Sequence, residues 1–225
     1  FEMGRALDQL RQDYPYEVIS EHLPCFLDNP PCLRLRDAPH VCFTKGGYGA
    51  PAAVDTLETV LALGVKKVIV AGLCGVFDPR AQVGDVLIPA RIYSEEGTSR
   101  HYVENGEWAG ADPALCAFLR QMMAKTLPVK ALDTVTTDAV YRQTMNKEAA
   151  WRALGCAGVD MEAAALLQVC AVYGIPAAAM LLASDGHPLP ETNTGWSWGS
   201  VNFAEVRKRC IDQIIQAGVQ LGKDI

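Results

Sequence analysis

The chain has no Cys-x-x-Cys pair, only four histidines, no long apolar run and no excess of positive charge, and each shortage removes a class of function. Without His or Cys ligands at short spacing, a structural zinc site is not expected, and no metal is assigned. No stretch reaches the roughly 18 apolar residues that cross a bilayer, so a membrane partner is not expected. No secretory leader is evident. A formal charge of −6 argues against a nucleic-acid partner, because polyanion binders cluster Lys and Arg. Gly-x-Gly-x-x-Gly and Walker loops are missing too, which removes dinucleotide and ATP readings. Internal repeats, linkers and low-complexity tracts are also lacking.

What is present fits one domain over residues 1–225. Half of the 225 residues are apolar and a fifth are charged, enough to bury one large core. Cys25, Cys32, Cys42, Cys74, Cys116, Cys156, Cys170 and Cys210 mostly sit inside apolar runs, as small hydrophobes do, and suggest a reducing cytoplasm. The chain opens on Phe1-Glu2-Met3-Gly4 rather than an initiator Met, so a further segment is expected upstream.

The patterning predicts helices over 3–13, 51–63, 112–125, 160–173 and 203–221, and strands over 41–44, 67–71, 85–93, 129–136 and 175–183. A Pro- and Cys-rich hairpin-like region lies between Tyr14 and about residue 39. Gly64 and Gly174 are placed to end helices, and Asp112-Pro113 to start one. Glycine turns are expected at 46–49 and 72–75. Strands alternating with helices give an α/β fold, a three-layer α/β/α sandwich around a central mixed β-sheet, with the site at strand ends.

Several polar groups stand where apolar ones would be cheaper. Glu162 lies at the start of a helix apolar almost all round; it serves either the helix dipole or a ligand offering two adjacent hydroxyls, as ribose does. Asp185 follows an apolar strand and is either a turn former or a general acid whose pKa burial raises. Gly46, Gly47 and Gly72 expose N–H groups to an anion or simply make turns. Thr98, Ser99 and His101 lie in a polar stretch that is either solvated or part of a site. Val140, Tyr141 and Arg142 follow a strand: the aromatic and the planar cation suit a base, or are core and surface residues.

In order along the chain, the strings GLCGVFDPRAQVGDVLIPA (72–90), GVDMEAAALL (158–167) and SDGHP (184–188) resemble the nucleoside phosphorylase and nucleosidase superfamily. The resemblance runs from about residue 40 to the last helix. It implies phosphorolysis of a purine or pyrimidine nucleoside, with phosphate as co-substrate, no cofactor, and a homodimer or homohexamer. Met161 and Glu162, with His101, would hold the ribose; Val140, Tyr141 and Arg142 the base; Asp185 would protonate it; Gly46, Gly47, Gly72, Thr98 and Ser99 would face phosphate. Four departures stand out. Val70 and Leu73 occupy positions where phosphorylases carry an Arg and a Ser or Thr that bind phosphate. The family's first strand and phosphate loop would precede Phe1. No Arg between Asp185 and Phe203 matches the one that assists the acid in purine enzymes. Arg34 or Arg36 is a candidate to reach a neighbouring subunit's site. These departures leave hydrolysis by water, or nucleoside binding without catalysis, as alternatives.

Overall fold

The computed structural model describes residues 3–189, 195–198 and 202–223. Phe1 and Glu2 lie outside the described residues. The elements are, in chain order, α1 (Ala6–Asp13), β1 (Tyr16–Ser20), β2 (Cys32–Leu35), β3 (Ala38–Thr44), α2 (Ala50–Ala62), β4 (Val68–Val76), β5 (Val86–Leu87), β6 (Arg91–Ser94), β7 (Trp108–Gly110), α3 (Pro113–Met123), β8 (Val129–Lys130), β9 (Asp133–Thr136), α4 (Met145–Ala153), β10 (Cys156–Asp160), α5 (Ala163–Val172), β11 (Ala177–Gly186), β12 (Ser197–Trp198) and α6 (Phe203–Gly222). Short 3-10 turns cover Ser99–His101 and Val140–Arg142.

The central sheet runs β7-β6-β9-β10-β4-β11-β5-β8, with β12 added to β11. It is mixed: β6, β9 and β10 are parallel to one another, β4 and β11 are parallel to each other, and the two groups meet antiparallel between β10 and β4. β11 shows why this becomes a three-layer sandwich. Its Ala178, Met180 and Leu182 join one core while Ala177, Ala179, Leu181 and Ala183 join the other, the period-two alternation of a strand buried on both faces. α1, α3 and α6 cover the first face, and α2 and α5 cover the second.

Local signals place several boundaries as expected. Asp112 accepts the Leu115 N–H at 2.8 Å to cap α3, and Pro113 fills the first helical position. Gly64 and Gly174 take φ of +98° and +66° just past α2 and α5.

Other expectations are corrected. The strand expected over 41–44 is present as part of β3, which pairs with β2 in a separate three-stranded sheet with β1. Phe43 and Val41 there press on Gly218 of α6, where a side chain would bring a Cβ within 3.2 Å of both. The run 72–75 is no turn, since β4 continues through it to Val76. The span 129–136 divides into β8 and β9, which join distant parts of the sheet. α4 and β10 have no counterpart among the predicted elements, and α5 starts only after β10 has ended at Asp160.

Candidate functional site

Sheet register brings the polar residues of five strands into one row. Ser94 of β6 lies beside Thr136 of β9, Thr136 beside Asp160 of β10, Val159 beside Gly75 of β4, and Gly75 beside Asp185 of β11. A bulge puts Ser184 out of the ladder between the pairs Ala183/Cys74 and Asp185/Gly75. Such an extra residue turns the strand and re-aims the side chain after it, here Asp185.

Glu162 sits between β10 and α5. Its Oε1 accepts the Gly49 N–H at 2.7 Å, and its Oε2 accepts the Met161 N–H at 3.3 Å. Burial, and then the negative charge of Asp160, raise its pKa to about 7. The helix-start role that the sequence offers Glu162 belongs to Asp160. Asp160 Oδ2 accepts the N–H groups of Glu162 and Ala163 at 3.1 and 2.6 Å, and its Oδ1 accepts from Thr136 Oγ1 at 2.5 Å. Thr136 Oγ1 in turn accepts the Ala164 N–H at 2.9 Å. Asp160 therefore satisfies the first turn of α5, which leaves the Glu162 carboxylate available to a ligand.

Asp185 is buried in β11 rather than in a turn. Ser184 Oγ donates to its Oδ1 at 2.7 Å, and His187 Nε2 lies 3.3 Å from its Oδ2. His187 Nδ1 lies 2.6 Å from Glu148 Oε1 of α4. His187 and Glu148 are additions to the sequence-derived site. The signal was available, because residues two apart in an extended segment share a face, so Asp185 in a strand implies His187 beside it.

Gly75 forms neither a turn nor an anion loop; its role is room. A Cβ there would collide with His187 Nε2 and stand 3.0 Å from Asp185 Oδ2. Gly72, expected to face phosphate, is buried in the β4 ladder opposite Leu181. Gly47 is packed on Ala52 so closely that no side chain fits, and Gly46 is half-buried beside it.

Thr98 and Ser99 do form an anion-binding turn, but a carboxylate of the chain occupies it. Glu96 Oε2 accepts the Thr98 and Ser99 N–H groups at 2.6 and 3.0 Å, while Ser94 Oγ donates to Oε1 at 2.7 Å and Ser99 Oγ donates to it as well. Glu96 is wholly buried by these contacts. His101, at the end of the same 3-10 turn, is exposed. Tyr141 is 98% exposed and Val140 and Arg142 are exposed beside it, so they stand on the surface and not in the core. Arg34 pairs with Glu17 on the neighbouring β1 at 2.8 Å. Among the described residues no group of His, Cys, Asp and Glu could hold a metal ion, and no helix is long and apolar enough to cross a membrane.

Comparison with known proteins identifies the family and the fold. The model of the phosphorylase superfamily matches residues 34–216. A DeoD-type purine nucleoside phosphorylase of Geobacillus kaustophilus is 26% identical over 217 residues, covering 94% of this chain and 91% of that protein. One from Bacillus cereus (strain ZK / E33L) is also 26% identical, covering 93% and 91%. The crystal structure of purine nucleoside phosphorylase from Toxoplasma gondii in complex with immucillin-H superposes with a TM-score of 0.83 at 19% identity, covering 100% of this chain and 90% of that one, and shares the fold. A superfamily match spanning most of the chain shows that the chain belongs to the phosphorylase superfamily.

Proposed function

We propose that the chain cleaves the N-glycosidic bond of a nucleoside with phosphate, as a pentosyltransferase giving free base and ribose 1-phosphate. The observation that carries this reading is Glu162: a buried carboxylate between two N–H donors, with no cation paired to it among the described residues. Two vicinal hydroxyls would complete its hydrogen bonding. Cleavage then passes through an oxocarbenium-like sugar. Glu162 and Met161 hold the ribose with His101, Asp185 protonates the departing base, and Val140, Tyr141 and Arg142 close over that base. Phosphate, bound near Gly46 and Gly47, attacks the anomeric carbon. No cofactor takes part. A purine nucleoside is the first substrate to test, since the relatives carry that name. We further propose one domain over 1–225, a homodimer or homohexamer, and a cytoplasmic setting.

A second reading, hydrolysis by water, is favoured by one observation: Glu96 fills the N–H groups of Thr98 and Ser99 that an anion would use. Val70 and Leu73, both in β4, add no charge to the site. Incubating the protein with a panel of purine and pyrimidine nucleosides, with and without phosphate, separates the two. Base release that requires phosphate and yields ribose 1-phosphate supports phosphorolysis; release without phosphate supports hydrolysis. No base release under either condition overturns both, and Asp185→Asn should lower turnover by about 10²–10⁴-fold.

A further inference from the structure

Glu148, His187 and Asp185 form a continuous file inside the molecule, at 6%, 4% and 8% exposure. His187 Nδ1 lies 2.6 Å from Glu148 Oε1 and Nε2 lies 3.3 Å from Asp185 Oδ2. A ring with a carboxylate at each nitrogen satisfies both only when each nitrogen carries a proton, because an ionised carboxylate accepts and does not donate. Burial opposes the charged ring, but the bonds to Asp185 and Glu148 outweigh it and raise His187 to about 9. Within the file, one imidazolium stands between two carboxylates that accept from it, at Nδ1 and at Nε2.

The surroundings fix this geometry. Phe77 and Trp196 flank the ring, with centroids at 6.3 and 4.2 Å. Gly75 supplies the space through which the ring reaches Asp185. On β4, burial keeps the Cys74 thiol protonated, with the charges of Asp160 and Asp185 adding to the effect. On α4, Lys147 pairs with Glu95, and Arg152 donates to the Phe77 carbonyl at 3.2 Å.

We propose that His187, held by Glu148, is the positioning residue that aligns Asp185 and replaces its proton during glycosidic cleavage. The inference rests on the reading of Asp185 as the acid. As the C–N bond breaks, its electron pair leaves with the base, and the base takes a proton relayed through Asp185. The proton on His187 Nε2 moves to Asp185 Oδ2. The ring stays bonded through Nδ1–H to Glu148, and one proton from water restores the imidazolium after product release.

Glu148→Gln and His187→Gln test this, with inosine as a substrate whose base must be protonated and p-nitrophenyl β-riboside as one whose leaving group need not be. Glu148→Gln should lower kcat on inosine by about 10²-fold, with KM nearly unchanged. It should move the alkaline limb of the kcat–pH profile to lower pH and leave the nitrophenyl substrate almost unaffected. Titration of the His187 ring by NMR in the resting protein should shift downward in the same variant. His187→Gln should match Glu148→Gln on inosine. Equal losses on both substrates, or an unshifted His187 titration, would overturn the relay while the glycosidase reading stands. A wild-type protein that cleaves neither substrate overturns the assignment of Asp185 itself, and the relay with it.

Discussion

The Gly49 N–H donates to Glu162 Oε1 at 2.7 Å, tying the residue before α2 to the residue before α5 across 113 positions of chain. Gly49 holds φ at +80°, a conformation that L side chains rarely adopt, so the loop 46–49 is shaped to deliver this one donor. On the proposed reading, a sugar hydroxyl approaching Glu162 would meet a carboxylate already held by two N–H donors.

Ligand binding should depend on the charge of Glu162. Its pKa is raised to about 7, chiefly by burial, and accepting two hydroxyls needs the ionised form. Nucleoside affinity measured by calorimetry should therefore increase as pH rises from about 6 to about 8. Glu162→Gln should weaken binding by at least about tenfold and flatten this dependence, the scale expected from losing charge-assisted hydrogen bonds. The stability of the free protein runs the other way. A carboxylate raised by folding contributes stability below its unfolded pKa of about 4.3, lost as pH rises through its folded value. Unchanged affinity across this range, with the variant equal to wild type, would remove Glu162 from the ligand site.

Gly75→Ala is expected to break the contact between His187 and Asp185, because the new Cβ would overlap the ring and crowd Asp185 Oδ2 at 3.0 Å. Turnover should fall by roughly 10²-fold, as for loss of a positioned proton donor, with a lowered thermal midpoint. Full activity in this variant would show that the ring and the carboxylate act independently.

Thr136→Val keeps the shape of the side chain and removes a hydroxyl that donates to Asp160 and accepts from Ala164. Both partners are buried, so each loses a bond that water cannot replace. Denaturant unfolding should show a loss of about 1–3 kcal/mol. A change inside experimental error would mean that the start of α5 rearranges to satisfy itself.

Stability should also follow His187. Its folded pKa of about 9 lies above the ordinary 6.5, so its contribution is full below about pH 6.5 and is lost as pH rises through 9. The thermal midpoint of wild type should fall more steeply between about pH 7 and 10 than that of His187→Gln. Parallel curves would show that the ring is neutral in the folded protein.

The long, strongly patterned elements were legible in the sequence, and the short ones were not. Helices α2, α3 and α6 carry apolar stripes with Gly or Pro at their ends, while β11 is a continuous apolar run that no other element could bury. β10 escaped because Cys156–Asp160 merges without punctuation into the apolar start of α5, and only its pairing with β9 and β4 makes it a strand. Gly72 and Gly75 read as a turn because glycine usually signals one; here β4 runs straight through both, and the space at Gly75 is used by His187. Glu162 and Asp185 were visible as carboxylates in apolar surroundings. Glu148 could not be found this way, since on α4 it looks like an ordinary helical glutamate until α4 is laid against β11.

The antiparallel seam between β10 and β4 is only two residue pairs long, Gly158 with Val76 and Val159 with Gly75. Asp160 belongs to the group of strands on one side and Asp185 to the group on the other, and the two groups run in opposite directions. A slip of one register step would turn the side chains of one group to the other face of the sheet. Gly158 lets the seam close: a Cβ there would press on Leu87 at 3.0 Å and on the Gly75 carbonyl at 3.3 Å, so even one methyl group would push β10 and β4 apart.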